Sequence, residues 1–451
     1  MDQFPVLGAP DSGDTAWMLA SAALVLLMTP GLAFFYGGMV RARGVLNMIM
    51  MSVSAMGVVT VLWVLYGYSL AFGEDKFGLF GDPSQYFGLK GLIGGTYLQL
   101  TPDAPEVAVP LAGTIPQTVF VAFQLMFAIL TVALISGAVA DRMKFGGWLL
   151  FAGLWATFVY FPVAHWVFAF NGVTAETGGW IANKLKAIDF AGGTAVHINA
   201  GVAGLVLALI LGKRMGWPAT PMRPHNLPFV MLGAGLLWFG WYGFNAGSAV
   251  GSNGIAGATF VTTTVGTAAA MLGWLLTERI RDGHATTLGA ASGVVAGLVA
   301  ITPSCSSVNV VGALAIGAAA GVICALAVGL KFRFGFDDSL DVVGVHLFGG
   351  LVGTLMVGLV ATAEAPAAVD GLFYGGGAEQ LWRQAVGAFA VLGYTAVITA
   401  ILALLIKYTI GLRLDREYEA TGIDEAEHAE TAYDLAIAGS SPVLSRHGAE
   451  V

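Results

Sequence analysis

Charge is the scarce commodity in this chain: Asp, Glu, Lys and Arg together make up 11% of its 451 residues. An ordinary soluble domain carries about 25%, so water is not the main solvent of this protein. The net charge of −8 gives no signal for nucleic acid as a partner. Only two cysteines occur, Cys305 and Cys324, which excludes a disulfide framework. Both read as small packing residues, with a single bridge left open because spacing does not give their separation. No G-x-x-x-x-G-K-[ST] run is present, so nothing supports an ATP-driven pump. Met1–Ala16 lacks the basic and apolar regions of a cleavable signal peptide.

What is abundant is apolar. Hydrophobic residues make up 57% of the chain, and the mean hydropathy is +0.78. A hydrocarbon core of about 30 Å needs about 20 apolar helical residues. Eleven such stretches are legible, near 15–38, 45–72, 114–140, 147–168, 189–211, 227–248, 254–277, 286–302, 308–330, 342–362 and 381–406. Their length and lack of alternation favour helices over a β-barrel. The expected fold is thus an all-α polytopic membrane protein with eleven transmembrane helices in a lipid bilayer. Residues 1–410 form its membrane domain and 411–451 a tail. Of the 20 Lys and Arg residues, fifteen fall in alternate loops or the tail, including Arg41, Arg142, Arg214, Lys331 and Arg446. Lys76, Lys90, Lys184, Lys186 and Arg383 fall on the other side. That bias predicts an outer N-terminus and a cytoplasmic C-terminus.

Glycine, with 63 residues, is the other excess. Gly289, Gly293 and Gly297, and then Gly317 and Gly321, are spaced by four, as in seams where helices pack closely in lipid. The stretch from Gly73 to Gly113 contains Pro83, Pro102, Pro105 and Pro110 and reads as an ordered outer cap or loop. Residues 411–434 are acidic and read as a cytoplasmic docking element or a disordered stretch.

Two histidines interrupt the apolar background, each followed by the same pattern: His197-x3-Gly201-x2-Gly204 and His346-x3-Gly350-x2-Gly353. Positions 0, +4 and +7 share a helix face. Each imidazole therefore lies on a stripe another backbone can approach. His197 is about 12 Å in from residue 189, and His346 about 8 Å in from Asp341, entering from opposite sides. Ionisable groups at membrane depth point to a substrate path, and their equivalent placement suggests inverted repeats with the site between them. Spacing does not establish contact between the two rings. His165, His225 and His284 read as hydrogen-bonded interior residues or loop residues. A haem protein would want paired ligands on facing helices, and each candidate span has one, so no cofactor is expected.

The stretches TPGLAFFYGGMVR (29–41), DFAGGTAVHINAG (189–201), GKRMGWP with PHNLP (212–218, 224–228), WYGFNAGS (241–248) and DVVGVH (341–346) resemble the ammonium transporter family, on the transporter rather than the Rh side. The resemblance runs over nearly the whole chain. It implies a non-enzymatic channel-like transporter of ammonium, ammonia and methylammonium. It also implies repeats near 15–211 and 227–362, an eleventh span near 381–406, a homotrimer in the cell membrane, and a PII-type regulatory partner at the cytoplasmic face.

Residue by residue, the resemblance assigns external recruitment to Phe127, Phe168 and Ser248. It makes Phe123 and Phe127 stacked rings below that site, with Phe244 lining the gate, and His197 and His346 a hydrogen-bonded pair that handles protons. Chemistry suits these roles, because aromatic faces attract a cation by roughly 0.5 to 2 kcal/mol and a hydroxyl adds one directional acceptor. The family commonly carries Trp where Phe168 stands. Trp166, two residues earlier, faces another direction. Asp189 reads either as a helix cap or as a supporting electrostatic residue, and the two are compatible. An ammonium sensor with little flux is the alternative function.

Overall fold

The structure, a computed structural model, describes residues 4–94, 96–101 and 104–433. Pro102, Arg446 and the end of the tail lie outside them. Ten helices among the described residues are long and apolar enough to cross a bilayer. They are α1 (Ser12–Met39), α2 (Ala42–Phe72), α3 (Gln117–Ala138), α4 (Phe145–Phe168), α5 (Gly193–Leu211), α6 (Leu227–Gly247), α7 (Gly254–Asp282), α9 (Val310–Phe334), α10 (Val343–Val360) and α11 (Glu379–Thr409). Between α7 and α9 lies α8 (Thr287–Ile301), apolar but short. Its length of about 22 Å is less than a bilayer core.

Helix starts are written in the sequence. Asp11, Asn226, Asn253, Thr286 and Asn309 each accept a hydrogen bond from a backbone N–H three residues on, satisfying one of the donors a helix leaves free at its start. The glycine seams close as their spacing implies. A Cβ on Gly317 would stand 2.1 Å from the Gly266 carbonyl oxygen, and one on Gly321 2.2 Å from that of Ala270, so α9 packs backbone to backbone on α7. Gly293 and Gly297 bring α8 onto the same helix. Gly233 places α6 against α1, where a Cβ would lie 2.3 Å from the Phe35 nitrogen. Cys305 and Cys324 are both buried and unbridged.

The all-α expectation needs one correction. The proline-punctuated segment before α3 cannot continue a helix. Its backbone groups pair in a small antiparallel sheet instead, which satisfies them. Strand β1 (Val6–Gly8) pairs with β5 (Ala104–Ala112), which pairs with β4 (Thr96–Thr101) and with β6 (Ile115–Pro116). A separate pair, β2 (Asp75–Lys76) with β3 (Phe80–Gly81), follows α2. These strands cover the end of the bundle where α1 and α3 begin.

At the opposite end the tail is docked through α12 (Arg416–Thr421) and α13 (Ile423–His428). Asp424 accepts from the N–H groups of Leu46 (3.0 Å) and Asn47 (2.8 Å) in the first turns of α2. Glu427 accepts from Phe145 at the start of α4 (2.9 Å). Tyr433 hydroxyl lies 2.9 Å from His225 Nε2. Acidic tail residues thus meet the positive ends of two helices.

Candidate functional site

Where the sheet covers the bundle, a cavity of about 360 Å³ opens. Phe127, Phe168 and Ser248 all line it. Phe168 is only 8% exposed and meets Phe127 edge-on at 6.4 Å between ring centroids. The Ser248 hydroxyl donates to the Phe244 carbonyl at 2.8 Å. That spends its proton and leaves its lone pairs free to accept. Trp166 turns away, as its position on the helix implies, and donates to the Leu79 carbonyl at 2.8 Å.

Below the cavity, Phe127 and Phe244 stack at 4.1 Å with planes 19° apart. The expected stack was Phe123 on Phe127, and this is corrected. Those rings meet edge-on at 4.9 Å, 60° apart. Phe123 is fully buried, and Gly247 packs against its edge. Four residues separate Phe123 from Phe127 on one helix, but the cross-helix neighbour Phe244 takes the parallel face.

Beyond the stacked rings the two histidines meet, His346 Nδ1 lying 3.3 Å from His197 Nδ1. Contact, which spacing left open, is therefore present. His197 stacks on Trp241 at 5.4 Å and 17°, and lies 6.1 Å from Phe244. The Trp241 indole is held by the Thr302 hydroxyl at 2.9 Å. His197 Nε2 is buried without a hydrogen-bond partner, which marks a polar edge left for something else.

Each histidine sits in a π-helical turn, Gly193–Ile198 and Val343–Leu347, that leads into its α-helix. Turns of this kind recur at functional sites because they re-aim a side chain. Asp189 holds the first of them: its carboxylate accepts from the N–H groups of Gly192 (2.8 Å), Gly193 (2.6 Å), Thr194 (2.8 Å) and Ala195 (3.2 Å), and from the Thr194 hydroxyl. The carboxylate is spent on the helix start, which favours the capping role. Asp338 does the same for the second turn, accepting from Val342 (3.1 Å) and Val343 (2.8 Å). Sequence reasoning missed Asp338 by counting from Asp341, whose carboxylate pairs with Lys331 at 2.6 Å. The signal was there: Asp189 precedes His197 by eight residues, and Asp338 precedes His346 by eight. Trp241 was also missed, though it lies three residues before Phe244, on the same helix face.

The remaining histidines behave as expected of ordinary ones. His165 bridges the Ala71 carbonyl and Asp75, each at 3.0 Å, and His284 is exposed.

An aromatic cavity, a stacked ring pair and a buried imidazole pair, set among membrane-length helices, define a multi-pass α-helical membrane protein with an interior site. Residues 16–433 match the Ammonium Transporter Family, and the chain belongs to that family, one of transporters and not of enzymes. It is similar to the ammonium transporter of Mycobacterium tuberculosis, 77% identical over 99% of this chain and 95% of that one. Among solved structures, Mep2 of Saccharomyces cerevisiae is 33% identical with a TM-score of 0.79, over 90% of this chain and 88% of that one. A sensor Amt protein is 26% identical with a TM-score of 0.81, over 92% and 98%.

Proposed function

We propose that this protein is an ammonium transporter of the cell membrane that also accepts methylammonium. It recruits the cation outside, removes its proton and passes ammonia inward. The observation that carries this reading is the order of groups along one path: π faces and a free hydroxyl acceptor, then the Phe127–Phe244 stack, then the His197–His346 pair.

Each group has a physical task. Phe127 and Phe168 offer π faces to a cation, and Ser248 offers a lone pair to one of its N–H groups. Rings 4.1 Å apart leave no room for a hydrated ion. Passage therefore needs ring movement and a species that sheds water cheaply, which neutral ammonia does. Beyond them, one proton shared between two Nδ1 atoms leaves one Nε2 as an acceptor and the other as a donor. Such a pair receives a proton at one edge and releases it at the other. Asp189 and Asp338 hold the two π-helical turns that aim these rings.

The same reading takes eleven spans, with α1–α5 and α6–α10 as inverted repeats, the sheet outside and the tail in the cytoplasm. Subunits associate as homotrimers, each keeping its own path, and a PII-type protein docks at the tail. An ammonium pulse on proteoliposomes, with current and uptake recorded together, tests transport. The likeness to a sensor Amt protein supports a sensing role as the second reading. Ammonium binding without uptake would select it.

A further inference from the structure

The cavity is large and aromatic beyond what ammonium requires. Its walls include the rings of Phe120, Phe127, Phe168, Phe170 and Phe190, with Asp14 at the rim. Ammonium is the size of a water molecule, about 30 Å³, in a space of about 360 Å³. It also brings four N–H groups. Side-chain acceptors line only part of the cavity: Asp14, Thr114, Ser248, Gln124 and Asn253, of which Asn253 Oδ1 already accepts from the Ala256 N–H. An ion of that size touches few of the five rings at once, and most of the π surface goes unused.

A cation without N–H groups reverses each of these terms. It is bulkier, it has no donors to leave unsatisfied, and it gains from every aromatic face it touches. Aromatic cages are a recurring recognition chemistry for quaternary ammonium, and a nearby carboxylate adds Coulomb attraction. Asp14 supplies that carboxylate. Its oxygens accept from the Thr114 hydroxyl at 2.6 Å and the Ser252 N–H at 2.8 Å, which hold it in place. Among the described residues it has no Lys, Arg or His within salt-bridge distance. Its charge at the rim is therefore unneutralised. Phe170 is 52% exposed despite being aromatic. Its ring is therefore open to a cation arriving from solvent at the cavity lining.

We propose that this cavity binds quaternary ammonium cations of the tetramethylammonium and choline class, held by the phenylalanine rings and Asp14, and that they go no further. Two facts stop them. The Phe127–Phe244 stack closes the floor at 4.1 Å, and a quaternary nitrogen has no proton to release. Such cations therefore act as competitive blockers. The inference rests on reading this cavity as the ammonium recruitment site.

The probe is tetramethylammonium chloride, added to the full-length protein in proteoliposomes, with sodium chloride at equal ionic strength as control. Expected are competitive inhibition of methylammonium uptake, calorimetric binding to the purified protein, and no entry of labelled tetramethylammonium. Phe170→Ala, at an exposed position with little bearing on folding, weakens inhibition about three- to fivefold, and Asp14→Asn weakens it by a similar factor. Both variants change the KM for methylammonium less than they change inhibition. Absent inhibition, non-competitive inhibition, entry of the labelled cation, or inhibition untouched by both variants overturns the proposal. In a wild-type protein that moves no ammonium the transport reading falls, and displacement of bound tetramethylammonium by ammonium in calorimetry then decides this proposal in place of inhibition.

Discussion

Gly201 and Leu347 meet where the two histidine helices cross: a Cβ on Gly201 would stand 2.4 Å from the Leu347 backbone nitrogen. The relation is reciprocal, because a Cβ on Gly350 would stand 3.1 Å from the nitrogen of Ile198. Leu347 follows His346, and Ile198 follows His197. The glycines therefore set the distance between the imidazoles. Gly201→Val forces the helices apart and costs about 1–3 kcal/mol. Thermal unfolding in detergent reads the loss, and ammonium current falls with it. Wild-type stability and current in this variant would show that the crossing tolerates a side chain.

The histidine pair should act as a unit. Replacing His197 and His346 together by Ala removes both polar edges and leaves an apolar path in which a proton is poorly solvated. Ammonium-evoked current vanishes while uptake of uncharged ammonia persists. His197→Asp keeps a proton acceptor and retains partial activity. Current and uptake on the same proteoliposomes provide the check, and wild-type current in the double variant would reduce the pair to packing.

Phe168→Trp enlarges one π face of the recruitment site. Apparent affinity for methylammonium rises about two- to fivefold with uptake retained. A KM that stays level or rises shows that ring 168 does not face the bound cation.

The tail docks on the starts of α2 and α4, and the proposed PII-type partner would meet it there. Asp424→Ala removes a carboxylate from the start of α2 and costs about 1 kcal/mol. Truncation after Gly411 removes Asp424, Glu427 and Tyr433 together and abolishes binding of a PII-type protein. Co-purification and thermal unfolding measure the two effects. Full inhibition of the truncated protein by such a partner would place the docking surface elsewhere.

Arg214 and Asp337 form a buried pair, joined at 2.9 Å through Nε and 2.8 Å through Nη2. Burial alone would raise the Asp337 carboxyl, but the bonds and charge of Arg214 outweigh it and hold it below its usual value. A depressed carboxyl contributes stability above its unfolded value, near 3.9, and loses it as pH falls through the folded one. Arg214→Ala removes both side-chain bonds and leaves the buried carboxylate with the residue-214 backbone N–H and the Arg142 charge, costing about 3 kcal/mol. With most of the depression gone, the variant gains less stability than wild type as pH rises from about 3 to about 6. Unfolding temperatures across that range decide it.

Much of this was legible from residue order alone. Apolar length marked out the spans, and the four-residue glycine spacing marked the seams, because lipid leaves close packing as the main force between helices. The repeated His-x3-Gly-x2-Gly pattern marked the interior site, since an imidazole is costly among apolar side chains. Asp189 and Asp338 carried the same repeat eight residues ahead of each histidine, one read and one missed. Other features were not legible because they depend on partners distant in the chain. Phe127 stacks on Phe244 from another helix instead of on Phe123 from its own. Trp241 covers His197 only because α6 and α5 meet there. The π-helical turns and the small sheet satisfy local backbone hydrogen bonds in ways that periodicity does not encode. Residue order determined which side chains must avoid lipid and where backbones could approach; only the tertiary structure decided which rings face one another, because that choice is made between helices and not along them.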